Sequence, residues 1–446
     1  MNPFDRYRQI LHHAQPLGVG GRVSAVRGLT VSVCDFPSPV GASCRIASGR
    51  GTIDGCVVGF ADQRTLVMPL GPTSGIRRGD RVSLAAPRQT VGLGPGMLGR
   101  ILDGHGRPID GKGPLTMTCQ YPLWPDPIEA MQRRRITQPM GTGIRAIDGM
   151  LTVGRGQRMG IFSGSGVGKS VLLGMLSRHS SADVSIIALI GERGREVRDF
   201  IEKDLGPAGL SRSVVIVSTS DEPPLIRVQA GAVATVVAEY FRDRGCDVIL
   251  LVDSLTRLAT AQRQIGLVAG EPPATKGYTP SVFNLLPQLL ERAGRAKEGS
   301  ITAFYSVLVE GEDSAEPISE AVRAITDGHI WLSKTLAQRG HYPAINCLQS
   351  ISRVMTDLIE ADHLAAVREI RRLMALYAEV EDMVAIGAYQ GHGGEHDLAI
   401  QAMPHIQAFL DQPIDHGESF ASTVAAMKAL YRKIANLSQG GGGSRR

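Results

Sequence analysis

Short apolar runs separated by glycines occupy the first part of the chain: "RVSAVRGLTVSV", "CVVGF", "TLVMPL" and "DRVSLAA". Runs this brief, with turn residues between them, predict a small all-β unit, sandwich or barrel, within residues 20–91. Ahead of it, Phe4, Tyr7, Arg8 and Leu11 have helical spacing. Residues 1–19 therefore read as a short amphipathic helix or as a frayed terminus packed on its own domain.

Over residues 92–355 the pattern changes. "RMGIF", "SIIALI", "SVVIV", "DVILLV", "ITAFYSVLV" and "HIWL" are continuous apolar runs bounded by polar residues or turns. Buried strands of a parallel sheet look like this, because helices cover both faces. Between them lie amphipathic, helix-length segments that end in glycine, such as "LIRVQAGAVATVVAEYFRDRG" and "SVFNLLPQLLERAG". The expectation is an α/β domain. Residues 356–438 carry apolar positions at three- and four-residue spacing, as in "DHLAAVREIRRLMALYAEVEDMVAI" and "ASTVAAMKALYRKIANLS", and predict a helical domain. The final "QGGGGSRR", residues 439–446, reads as a flexible tail.

Composition narrows this multidomain picture. A length of 446 residues exceeds one small core. Charged residues make up 20%, and the net charge of +5 is a mild bias for this length, a poor argument for nucleic acid. The cysteines, Cys34, Cys44, Cys56, Cys119, Cys246 and Cys347, are scattered without a C-x-x-C pair. Neither a disulfide framework nor a zinc site is suggested, and a reducing cytoplasm is expected. The opening "MNPFDRYRQILHHAQ" lacks the apolar core of a signal peptide, and no run approaches the ~18 apolar residues of a membrane span.

The candidate chemistry begins at "SGSGVGKS", Ser163 to Ser170, between an apolar run and a helix-like one. It is a phosphate loop of the form G-x-x-x-x-G-K-[ST] with serine in place of the first glycine. Gly164, Gly166 and Gly168 let the backbone curl around phosphate oxygens, with Ser165 and Val167 between them. Lys169 would reach the β and γ phosphates, and Ser170 would ligate Mg²⁺. Ser163 enters the turn, where a small residue serves if its φ is negative. The next predicted strand, "SIIALI", runs into "GERGREV", which places Glu192 at a strand's carboxyl end, where open α/β sheets bind ligands. A carboxylate there can orient the attacking water. Asp253 ends "DVILLVD", the most apolar run of the chain. An acid there needs a partner, and Mg²⁺ is a natural one. The plainer reading of each acid is a helix cap.

"SGSGVGKS", "GERGREV", "VILLVDSLTRLATAQRQIGLVAGEPPATKGYTPSVF", "LLERAG" and "YPAINCLQSISR" together resemble the hexameric ATPases of rotary ATP synthases and of type III protein export. The resemblance runs from about Gly18 into the C-terminal helices. "GEPPATKGYTPSVF" and "DGHIWLSKTLAQRGHYPAI" look like the export branch, and "GSGVGKS" with "AIGAY" looks flagellar within it, the injectisome ATPases being the alternative. The resemblance implies an N-terminal β-barrel, a central RecA-like P-loop ATPase domain and a C-terminal α-helical domain. It implies ATP and Mg²⁺, held by the loop residues through Val171, with Ser170 and Asp253 on the metal. Glu192 matches the catalytic glutamate, and Arg193 and Arg257 match arginines lining the γ-phosphate pocket. Tyr342 matches an aromatic near adenine. Arg353 matches an arginine finger given to a neighbouring subunit.

A chain with loop, glutamate and finger can build every site of a ring of itself, so a homohexamer is expected. The resemblance further implies a stator-like regulator, a central-stalk-like coiled coil, export chaperone–substrate complexes and a membrane export gate as partners. It implies a cytoplasmic place at the inner membrane and no nucleic acid. Two rivals share the core: a hexameric RNA translocase and a non-catalytic ATP-binding ring subunit. The first wants exposed aromatics in the N-terminal domain, and Gly20–Ala85 holds only Phe36 and Phe60. The second would lack Glu192. "GHGGEH", with His392 and His396, reads as a polar loop, and Arg133–Arg135 as a solvated or interface face.

Overall fold

Six strands close a barrel: β1 (Gly20–Arg27), β2 (Thr30–Cys34), β3 (Ser43–Ser48), β4 (Gly51–Ala61), β5 (Arg64–Pro69) and β6 (Arg81–Ala86). Their order around the barrel is β1-β2-β5-β4-β3-β6. Alternate positions point inward, so Val23, Val31, Val33, Ile46, Val57, Val67 and Val82 form a core of their own. Closure leaves no open edge to aggregate. Phe36 is buried and Phe60 exposed, which leaves one barrel aromatic facing solvent. The computed structural model describes residues 18–309, 316–391 and 394–440. Of the N-terminal segment 1–19, read as a helix or a frayed terminus, residues 1–17 lie outside them.

The barrel leads to a two-stranded ribbon, β7 (Thr90–Leu93) with β9 (Cys119–Pro122), and to the central sheet. That sheet contains β8 (Arg100–Asp103), β10 (Arg158–Ser163), β11 (Val184–Glu192), β12 (Ser213–Thr219), β13 (Asp247–Asp253), β14 (Gly294–Arg295), β15 (Ser300–Leu308), β16 (Gly328–Leu332) and β17 (Ile351–Ser352). Its order is β17-β16-β10-β15-β13-β11-β12-β8, with β14 beside β15. The strands from β16 to β8 run parallel, and β17 runs antiparallel on one edge. All six apolar runs read from the sequence are strands here.

Each central strand serves two cores, because successive side chains face opposite ways. Ile186, Ala188, Ile190, Leu250 and Val252 pack on one face with helices α2 (Pro224–Arg242) and α3 (Leu255–Val268). Ile187, Leu189, Ile249, Leu251 and Ile161 pack on the other with helix α1 (Lys169–His179). The same core takes in α4 (Ala361–Ala385), α5 (Glu395–Leu410) and α6 (Phe420–Gly440), so the helical domain is seated against the sheet's α1 face.

Three elements depart from the pattern-based reading. The edge strand β8 had no apolar run to announce it. Its four residues "RILD" are half polar, as an edge tolerates. The "GHGGEH" stretch is not all loop, since His396 stands in the first turn of α5, 3.2 Å from Glu379. His392 lies outside the described residues. α6 reaches Gly440, inside the stretch expected to be tail, and residues 441–446 are outside the description. No described helix is long and apolar enough to cross a membrane.

Candidate active site

β10 ends at Ser163 and α1 begins at Lys169. Gly166 and Gly168 between them have φ of 76° and 87°, a region that strains any side chain with a Cβ. A glycine turn running into a helix start offers backbone N–H groups and the positive end of the helix dipole to an anion. Ser163 completes β10 as an ordinary buried strand residue, so serine serves where glycine is usual.

Four strand ends converge beside this loop. Lys169, from the start of α1, donates through Nζ to Asp253 Oδ1 at the end of β13. Its Nζ also lies 3.9 Å from Oε1 of Glu192, the last residue of β11. Ser306 of β15, the strand between β10 and β13, donates to Asp253 Oδ1 at 2.7 Å. Arg257, in the first turn of α3, stands 3.2 Å from Glu192 Oε2 and donates to the Gly191 carbonyl. The cap of α3 is Ser254, whose side chain accepts from Arg257 N. Asp253 is thereby free of capping duty and turns into the site, 3% exposed. Burial, then the neighbouring Asp253 charge, pushes the Glu192 carboxyl up to about 7, against the pull of Lys169 and Arg257. Among the described residues no group of three or more His, Cys, Asp or Glu is arranged to hold a metal by itself. Asp253 is a buried carboxylate and Ser170 follows Lys169 in α1, donor types that fit Mg²⁺ shared with phosphate.

The remaining candidates are spread out. Tyr342 packs beside Gly168, whose position a Cβ would share with the ring at 3.5 Å. Arg193 points to solvent and pairs at 3.5 Å with Glu196, which in turn hydrogen-bonds Glu192 at the edge of the cluster. Arg353 lies at the opposite end of the sheet. It follows β17, its N–H donates to Asp327 O at 2.9 Å, and its guanidinium donates to Arg323 O at 3.2 Å. β16 pairs Gly328 with Ser352 at one end and Leu332 with Ser163 at the other. The rise between those levels is about 13 Å at ~3.3 Å per residue. A cleft of about 1400 Å³ opens beside the loop at Gly164 and Ser165 and is also lined by Lys334, Arg339, Tyr377 and Asp411. Lys169, Glu192 and Asp253 are not in its lining, so its size marks the hollow next to the helical domain rather than the chemistry. Ser306 is the site residue that no motif announces. A lone hydroxyl near the carboxyl end of "ITAFYSVLV" was the available signal.

Residues 143–352 match the ATP synthase alpha/beta family, nucleotide-binding domain. Residues 23–84 match that family's beta-barrel domain, and residues 359–429 match the T3SS EscN ATPase C-terminal domain. A flagellum-specific ATP synthase of Treponema pallidum is 50% identical over 95% of this chain and 96% of its own. The chain belongs to the ATP synthase alpha/beta family. Within it, the chain sits in the type III export branch on the flagellum-specific side. A type 3 secretion system ATPase of Xanthomonas euvesicatoria is 47% identical over 92% of this chain and 93% of its own. The assembled ATPase EscN of enteropathogenic E. coli superposes with a TM-score of 0.87 at 40% identity, over 92% of this chain and all of that one. EscN is also solved in complex with its central stalk EscO. The three matched segments of this family member correspond to barrel, sheet domain and helical domain.

Proposed function

We propose that this family member hydrolyses ATP to drive flagellar type III protein export, as a cytoplasmic homohexameric ring at the inner membrane. One observation carries the ring. Lys169, Glu192, Asp253 and Arg257 meet at the carboxyl end of the sheet, while Arg353 stands at its amino end. An arginine placed there serves a site only if another copy supplies that site, and a head-to-tail interface repeated around an axis closes a ring.

The chemistry is in-line attack of water on the γ-phosphate. It depends on positioning and charge more than on covalent steps. Lys169 exchanges Asp253 for the β and γ phosphates as its partner. Glu192, ionised, orients and polarises the attacking water. Arg257 fixes Glu192, and Arg353 of the adjacent copy offsets charge that builds on the γ-phosphate. Ser170 and Asp253 would hold Mg²⁺, which neutralises phosphate charge when bound. Tyr342 offers an aromatic face to the base, and Arg193 closes over the phosphates from its solvent position.

The partners follow from the same reading: a central-stalk-like coiled coil as in the EscN–EscO complex, a stator-like regulator, chaperone–substrate complexes and the export gate. Exposed Met383 and Ile386 at the end of α4 support a protein contact there. ATP turnover per subunit, measured against protein concentration and beside sedimentation, tests the ring. Specific activity should rise as hexamers form. Constant activity down to pure monomer would remove the ring, and intact flagellin export by a Lys169→Ala strain would remove the export role.

A further inference from the structure

One connector, Asp411–Glu418 between α5 and α6, holds the far end of α1 directly and reaches its phosphate end through Tyr342. At the phosphate end, Gln412 N donates to Tyr342 O at 2.8 Å, and Tyr342 N donates to Asp411 Oδ1 at 3.1 Å. That places Tyr342 beside Gly168, at the start of α1. At the far end, Arg178 donates to Ile414 O at 2.8 Å and faces Asp415 at 3.6 Å. His179 packs against Gly417 so closely that a Cβ there would meet its ring at 2.5 Å. Gln412, 2% exposed, ties the connector down by donating to Gly143 O at 2.8 Å and accepting from Arg145 N at 2.8 Å.

Arg178 also faces the segment that follows Glu192. A π-helical turn, Phe200–Leu205, packs along α1, with Gly174 leaving room for the Asp204 carbonyl, 2.7 Å from where a Cβ would sit. The Arg178 charge pulls on the Asp204 carboxyl, which burial pushes up. One side chain of α1 thus holds the helical domain's connector by its guanidinium and acts on Asp204, behind Glu192, through its charge. α1 is eleven residues long from Lys169 to His179, a rigid rod of ~16 Å.

We infer that Arg178 is a positioning residue that locks the phosphate loop to Tyr342 through the Asp411–Glu418 connector, so that phosphates and base are bound as one unit. With Arg178 in place, α1 cannot shift without dragging Tyr342 along. Without it, the loop still binds phosphate and Tyr342 still offers its ring, but only His179, against Gly417 and Ile414 O, holds α1 to the connector, and each sets the place of the other less firmly. Fixing two binding elements in advance lowers the cost of binding a ligand that spans both. The inference rests on the proposed role of Tyr342 at the base.

The test is a double-mutant cycle in the full-length ATPase, with Arg178→Gln and Tyr342→Ala alone and together. KM for ATP, kcat, and inhibition by inorganic tripolyphosphate, which has no base, are read for each. Arg178→Gln should raise KM about tenfold with kcat within about threefold, and leave the tripolyphosphate constant nearly unchanged. The double variant should be little worse than Tyr342→Ala alone. Arg178→Lys, which keeps a donor for Ile414 O, should recover part of the loss. Multiplicative effects of the two substitutions, or equal weakening of tripolyphosphate, would overturn the inference. If Tyr342→Ala leaves KM unchanged, the base-contact reading itself fails, and that result is distinct from additivity. Should Arg178→Gln not fold, the same cycle is run with Arg178→Lys, and multiplicative effects there overturn the inference equally.

Discussion

At the carboxyl end of the central sheet four charged side chains answer one another. Lys169 faces Asp253 and Glu192, and Glu192 faces Arg257. At the amino end Arg353 is exposed, and its guanidinium donates to a backbone carbonyl. In the first set the two acids are buried and are compensated within one chain by half-buried cations, as buried charges must be. The second keeps its full charge in solvent, in a place its own phosphate loop cannot use. The contrast separates residues that assemble a site from a residue that is lent to one.

Arg353→Ala should have the largest effect, since arginine fingers contribute ~10³–10⁵ in rate. ATP binding should persist. The sharper test mixes it with Glu192→Gln. Each parent is dead, yet random co-assembly gives about one interface in four with an intact glutamate on one side and an intact arginine on the other. Single-turnover hydrolysis should reappear in verified mixed rings. If they stay dead, the two sheet ends do not cooperate across copies.

Glu192→Gln by itself acts at the other end of the sheet. It keeps the side chain's shape and removes the charge, so nucleotide affinity should hold while kcat falls ~10²-fold or more. Near-parental turnover would show that the compensated cluster is architecture rather than chemistry.

The two ends also differ in how far they were legible. The phosphate loop, Glu192 and Asp253 announce themselves because phosphate cradles need glycine, lysine and hydroxyl in fixed order, and because acids at the ends of apolar strands are expensive. The buried strands were legible for the same economy: "DVILLV" can be little else between two helix layers. Arg353 was named by resemblance alone, since an exposed arginine after a two-residue edge strand has no physical signature. β8 escaped because an edge strand may be half polar. The connector at Gln412 escaped because its contacts are mostly to backbone N–H and carbonyl groups, which any residue carries.

A smaller effect should follow at Asp253, on the compensated side. Asp253→Asn keeps an oxygen for Ser306 but gives Mg²⁺ a neutral ligand. The Mg²⁺ concentration for half-maximal ATPase rate should rise about tenfold, as carboxylate charge sets affinity for hard cations. An unchanged Mg²⁺ midpoint would take Asp253 out of the metal site and leave it as the partner of Lys169.

The pH dependence, whose melting-temperature arm is the smallest expected effect, tests whether the cluster is as tightly coupled as its geometry. Burial and Asp253 raise the Glu192 carboxyl from 4.5 to about 7. The working form is ionised, so kcat/KM, which reports the free enzyme, should climb with pH, approach tenfold per unit well below 7, and level off above it. Stability runs the opposite way. An acid with a raised value holds its proton in the folded state while the unfolded chain has released it, so the folded state is favoured at low pH. That advantage starts to fade above 4.5 and is gone as pH passes through about 7. Glu192→Gln has no proton to lose. Measured without nucleotide, its melting temperature relative to the parent should therefore rise between pH 5 and pH 8, by a few degrees in a chain of this size. A difference that stays flat over that range would mean Glu192 is solvated like a surface acid. Asp253→Asn isolates one cause. Removing the neighbouring charge should move the midpoint of the rate profile to lower pH, and whatever elevation survives belongs to burial and to the hydrogen bond with Glu196.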